Sequence, residues 1–201
     1  MRHAILETAK FLAALVLIPV IVAATISFRK ELLYLAFVSR AFTWGVSAYL
    51  LFHFFVAPLE KLYLGGQKVW EVLLRYAPVM SRAIPLALPI FASAVLTALI
   101  IDRTVLGHSG REIYYGFFAG FFLAMHVILT AQAVRSLDTG IVKSGYCLCM
   151  GLAYLGNLCV VLSLMSFALD GISVLNFLKS SATLAASFYD VLFRHVILKL
   201  V

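Results

Sequence analysis

Long apolar runs separated by short charged stretches constrain this chain more than any other feature. Each run is close to the ~20 residues that a helix needs to cross the hydrocarbon core of a bilayer. The runs are apolar on every face, so they lack the in/out alternation of a transmembrane barrel. A helix is then the element that satisfies its own backbone in lipid. The composition agrees: 64% of the residues are hydrophobic and 12% charged, and the mean hydropathy is +1.04. A soluble domain of 201 residues needs more polar surface than that. The expected fold is all-α, a polytopic transmembrane helix bundle of five to six spans. It forms a single integral membrane domain over residues 1–201, with a short amphipathic surface helix.

The first span is expected at Phe11–Phe28, kinked at Pro19. It reads as a retained span: the run is long for a secretory signal, and no small-x-small cleavage site precedes Arg29 and Lys30. Arg29-Lys30-Glu31 should be a connector. Glu31–Arg40 would be a helical lead-in among the headgroups, followed by a span over Ala41–Leu59 with Arg40 snorkelling. Gly65-Gly66 marks a break. Beyond it Lys68, Glu71 and Arg75 share one helical face and Val69, Leu73 and Tyr76 another, which is the pattern of a surface helix near Gln67–Tyr76.

The third span, Ala83–Ile101, should be bent near its start by Pro85 and Pro89, after Pro78. A glycine- and charge-rich loop, Asp102–Glu112, separates it from the fourth span, Ile113–Val134. The fifth covers Ser144–Leu169. Over residues 174–199 the polar side chains Asn176, Ser180, Thr183, Ser187, Asp190 and Arg194 recur every three or four positions, a continuous stripe on one helix face. Such a helix either lies in the interface or is a sixth span with its stripe against protein or water.

Lysine and arginine placement favours six spans. With the N-terminus inside, the inner set is Arg2, Lys10, Lys61, Lys68, Arg75, Arg82, Arg135, Lys143, Arg194 and Lys199. The outer set is Arg29, Lys30, Arg103, Arg111 and Lys179, with Arg40 undecided. A net charge of +7 would point to nucleic acid in a soluble protein. Here the cations flank membrane runs, so lipid headgroups are the expected partners and nucleic acid is not. A bacterial inner membrane with a cytoplasmic N-terminus is the expected location.

Several residue sets could carry chemistry. His53 and His126 lie at similar depth in spans running the same way. They could ligate a b-type haem axially, relay protons, or simply hydrogen-bond between helices. No other cofactor is expected. Gly116, Gly120 and Ala124 repeat every four residues and invite close helix approach. Gly145, Cys149, Ala153 and Asn157 extend the theme into the fifth span, so the fourth and fifth spans are expected to pack as a pair. Cys147, Cys149 and Cys159 are odd in number and lie in one apolar run, which reads as packing rather than disulfides or metal ligation. Asp190 and Arg194, one turn apart, would pair within their helix.

One stretch carries a family resemblance. Pro58-Leu-Glu-Lys-Leu-Tyr-Leu-Gly65-Gly-Gln-Lys-Val-Trp70, followed by Arg75-Tyr-Ala-Pro78, resembles the core of site-2-protease-like membrane zinc metallopeptidases. In one branch of that family a proline precedes a G-H-E-x-x-H helix and an A-P-Y segment follows. The resemblance would run from Phe52 to Ala168, with the His126 and Asn157 spans as downstream helices. Where the family has H-E-x-x-H, this chain has Gly66-Gln67-Lys68-Val69-Trp70. Both metal ligands and the water-activating carboxylate are missing. The resemblance therefore implies a non-catalytic relative with no metal site.

The leading functional expectation is a non-enzymatic membrane subunit or scaffold of a larger inner-membrane assembly, related to transport or the envelope, with other membrane subunits as partners. Asn176, Thr183, Ser187, Asp190 and Arg194 would form a partner-binding face. A small transporter, its path lined by the kinked third span and the last helix's stripe, is the alternative, and a haem-b electron carrier the second.

Overall fold

A computed structural model of the chain describes residues 2–55, 64–66, 68, 72, 88–108, 110–137 and 144–194. The fold is all-α. Six helices follow one another among the described residues. They are α1 (Arg2–Leu33), α2 (Ala36–Phe55), α3 (Ile90–Thr104), α4 (Glu112–Leu137), α5 (Ser144–Ala168) and α6 (Val174–Leu192).

Among the described residues three helices are long and apolar enough to cross a membrane: Thr8–Leu33, Glu112–Arg135 and Gly145–Ala168. Five or six were expected. The others fall short for physical reasons. At 20 residues α2 has the length, but Arg40 and His53 interrupt it; α3 is described over 15 residues; α6 carries the polar stripe.

α1 departs most from expectation. Its 32 residues run unbroken through Pro19 and through Arg29-Lys30-Glu31. At about 1.5 Å per residue the helix is about 48 Å long and overshoots a ~30 Å hydrocarbon core. The chain turns instead at Tyr34-Leu35, where Tyr34 and Leu35 donate to the Glu31 and Leu32 carbonyls at 3.3 and 3.0 Å. These tight i→i−3 bonds close the last turn. Arg40 therefore sits in the second turn of α2, exposed, 5.7 Å from the Phe37 ring. Asp102 and Glu112, expected in a loop, belong to the last turn of α3 and the first of α4. Gly65 and Gly66, expected as a break, are helical. The expected surface helix and the start of the third span lie outside the described residues.

The bundle is built on one closely packed pair and one closely packed group of three. α2 runs parallel to α4, and α1 lies along α5 on one side and antiparallel to α6 on the other. α3 fills the remaining side of α4 and α5. Ala24, Phe28, Phe42, Leu96, Leu123, Val161 and Met165 form the shared core.

One end of the bundle collects the C-terminal ends of α1, α3 and α5 and the N-terminal ends of α2, α4 and α6. Ser173 meets Glu31 there, Arg103 meets Glu112 and Asp170, and Tyr34–Val38 share a cavity with Arg103, Glu112 and Leu169. Successive helices thus alternate in direction.

Candidate functional site

The end where six termini converge is the most polar place in the structure. Asp102 anchors it. Its residue is 4% exposed, yet its Oδ1 receives His108 Nδ1 at 2.8 Å and lies 3.6 Å from Arg111 Nη1. The backbone N–H of His108 also donates to the Asp102 carbonyl at 3.1 Å. Gly107 and Gly110, at φ of +66° and +92°, supply the left-handed turns that bring the loop back over the carboxylate. The hydrogen bond from His108 and the Arg111 charge together outweigh burial and hold the Asp102 carboxyl below its usual range.

Beside this clasp, Arg103 bridges three helices. It donates to the Ala168 carbonyl at the end of α5 and lies 3.2 Å from Asp170 and 3.9 Å from Glu112. A cationic side chain on a helix C-terminus opposes the partial negative charge there. Glu31 works at the other pole. It is 3% exposed and accepts the Ser173 backbone N–H at 3.3 Å, at the start of α6. Ser173 in turn caps α6 by accepting the Asn176 N–H. A cavity of about 520 Å³ opens between Tyr34, Arg103, Glu112 and Asp170. These are mostly surface ion pairs, which add little affinity or stability individually. Their arrangement clamps the loops of the three helical hairpins to one another.

Among the expected site residues, Gly116 and Gly120 sit at the tightest helix contact, but with a different partner from the one foreseen. They face α2, not α5. A Cβ on Gly120 would collide with the Phe42 carbonyl, one on Gly45 with the Phe117 carbonyl, and one on Gly116 would press on Val38 Cγ1 at 3.1 Å. Ala124 packs against the cluster of Tyr49, Met125 and Leu129. It also lies on the floor of an apolar slot between α1 and α2. The fifth helix uses its own glycine, Gly151, against Leu17 and Ile21 of α1. Asn157 is buried at 1% exposure in the interior.

The two histidines lie on the packed pair α2 and α4, where Val38 and Phe42 meet Gly116 and Gly120, and Gly45 meets the Phe117 carbonyl. His126 is buried and engaged with a neighbour. His53 packs its ring 5.8 Å from that of Tyr49. Among the described residues no group of three or more His, Cys, Asp or Glu is placed to hold a metal ion. The three cysteines are free thiols.

The polar stripe of α6 points out of the bundle. Asn176, Thr183, Ser187, Asp190 and Arg194 are all exposed, while Phe177 and Ala185 are buried toward α1. Thr183 donates back to the Lys179 carbonyl at 2.9 Å, and Asp190 pairs with Arg194 at 3.0 Å. The Asn176 and Ser187 side chains meet no hydrogen-bond partner among the described residues. α3 packs on α4 and α5, while α6 packs chiefly on α1. The resemblance-bearing stretch from Pro58 to Pro78 lies almost wholly outside the described residues.

Comparison with family models, with curated proteins and with solved structures finds no match.

The acidic and basic groups of the cap escaped the sequence reading because charges at span ends look like topological punctuation. One signal was present: Asp102, His108 and Arg111 fall within ten residues around two glycines, a composition suited to a self-satisfying loop.

Proposed function

We propose that this chain is a non-enzymatic integral membrane subunit, crossing the membrane six times, whose α6 binds another polypeptide of a larger inner-membrane assembly. The observation that carries this reading is the orientation of the α6 stripe. α6 lies antiparallel along α1, with Glu31 meeting Ser173 at one end and the Tyr189 hydroxyl donating to the Val16 carbonyl further down. α1 is the most apolar candidate span in the molecule. A helix held along it shares its depth, and there the outward hydroxyl of Ser187, level with the middle of α1, would face hydrocarbon. An unsatisfied polar group in that medium costs several kcal/mol. A neighbouring subunit that offers polar partners removes the cost.

Alternating helix directions fit six crossings, and the lysines and arginines read from the sequence as the inner set assign the end opposite the polar cap to the cytoplasmic side. The N-terminus is then cytoplasmic.

Gentle native purification followed by identification of whatever copurifies tests the proposal. A stoichiometric membrane partner is the expected result. A clean monomer, stable in a lipid nanodisc with α6 unchanged, would overturn it.

A further inference from the structure

We infer that the slot between α1 and α2 binds one anionic phospholipid of the leaflet nearest the polar cap. α1 and α2 are joined by a two-residue turn but make little contact with each other, because each is committed to a different partner: α1 to α5 and α6, α2 to α4. The gap between them is about 380 Å³, within the size range of small-ligand sites. α4 and α5 close its floor, through Ala124 and Leu158 among others.

Length decides the class of ligand. Along α2 the slot extends from Ser39 to Leu50, eleven residues or about 16 Å. That is about half of a ~30 Å hydrocarbon core, the depth of one leaflet and of one acyl chain. Polarity decides the orientation. Away from the cap the walls are Val46, Leu50, Val127 and Ile128. The one hydroxyl pair on the walls, Thr25 with the Tyr154 phenol at 3.1 Å, satisfies itself. At the cap end stand Ser39, Thr43 and Arg29.

Arg29 decides the charge. It is exposed, lines the slot, and pairs with no carboxylate among the described residues. Its nearest acidic neighbour in sequence, Glu31, is turned the other way, onto the Ser173 N–H. Lys30 is exposed at the same level but does not line the slot, which leaves Arg29 as the lipid-adjacent cation. An acyl chain in the slot places its phosphate beside Arg29, where a net negative headgroup is preferred over a zwitterionic one.

The test uses the full chain, delipidated in mild detergent and titrated separately with phosphatidylglycerol and phosphatidylcholine. Retained lipid is counted by native mass spectrometry, and cooperative melting verifies the fold of each variant. Wild type should retain one phosphatidylglycerol, about fivefold more tightly than phosphatidylcholine, the preference expected from one lipid-adjacent cation. Arg29→Gln, at an exposed position, should erase that preference while still retaining lipid. Ala124→Phe should fill the slot and abolish retention of both lipids, and Val127→Phe serves the same purpose if the first variant fails to fold. Equal retention of the two lipids by wild type, an unchanged preference in Arg29→Gln, or undiminished retention in a folded slot-filled variant would each overturn the inference.

Discussion

The two sides of α2 show how differently one helix can be packed. Toward α4 it comes into backbone contact, with Gly45 against the Phe117 carbonyl and Phe42 against Gly120. Toward α1, its neighbour in sequence, it leaves a slot of about 380 Å³. Both sides are apolar, so hydrophobicity does not distinguish them. Lipid tails are as apolar as leucine, and helices in a bilayer gain from association only what close packing and hydrogen bonds supply. Small residues let α2 and α4 approach until backbones touch. Phe28 and Leu32 of α1 facing Phe42, Val46 and Leu50 of α2 hold those two helices apart.

Substitutions on the two sides of α2 should therefore behave in opposite ways. Gly45→Leu drives a side chain into the Phe117 carbonyl and should cost about 3 kcal/mol, read as a loss of stability in detergent unfolding. Val46→Phe, one residue on but directed to the slot, should change stability by less than about 1 kcal/mol, because the added ring meets open space. Equal losses at the two positions would break the contrast.

The polar cap offers a second comparison, between groups buried with a partner and groups paired on the surface. Asp102 has its carboxyl held below the usual range, chiefly by His108 and then by Arg111. The stability it contributes is fully present above the ordinary aspartate pKa of about 3.9. It is lost as the pH falls through the lower folded value. Melting temperature should fall on acidification below about pH 4, and Asp102→Asn should flatten that slope while lowering stability at neutral pH. Ser173→Ala removes the cap of α6 and should cost about 1 kcal/mol, measurable as earlier fraying of α6 in hydrogen exchange. Asp190→Asn breaks only an exposed i,i+4 pair and should cost about 0.3 kcal/mol in the isolated chain. A larger loss in the native membrane than in detergent would sharpen the assignment of this face to a partner.

The fold class was legible because lipid imposes a length and an apolarity on each span independently of what the span packs against. The small-residue spacing of Gly116 and Gly120 was legible too, but not its partner: a four-residue repeat specifies a close approach without saying from which helix. Gly45, the other half of that seam, is marked only by Ala41 four residues earlier, a shorter signal than the repeat in α4. Ala124 continued the repeat in sequence and also lines the slot. Glu31 was read as part of a connector, because a charge at the end of an apolar run ordinarily stays in water. Its burial depends on α6 beginning beside it, 142 positions later, and no local pattern carries that information. The stripe from Asn176 to Arg194 was readable as a two-faced helix, and the structure adds which way it faces.

The account rests on that face being covered by protein. A photo-crosslinking residue placed at Thr183 or Ser187, with Ile18 on the exposed apolar face of α1 as the control, tests it in native membranes. Irradiation should convert the Thr183 and Ser187 variants into a discrete heavier protein species and leave the Ile18 variant attached only to lipid. Lipid adducts alone at all three positions would contradict the account.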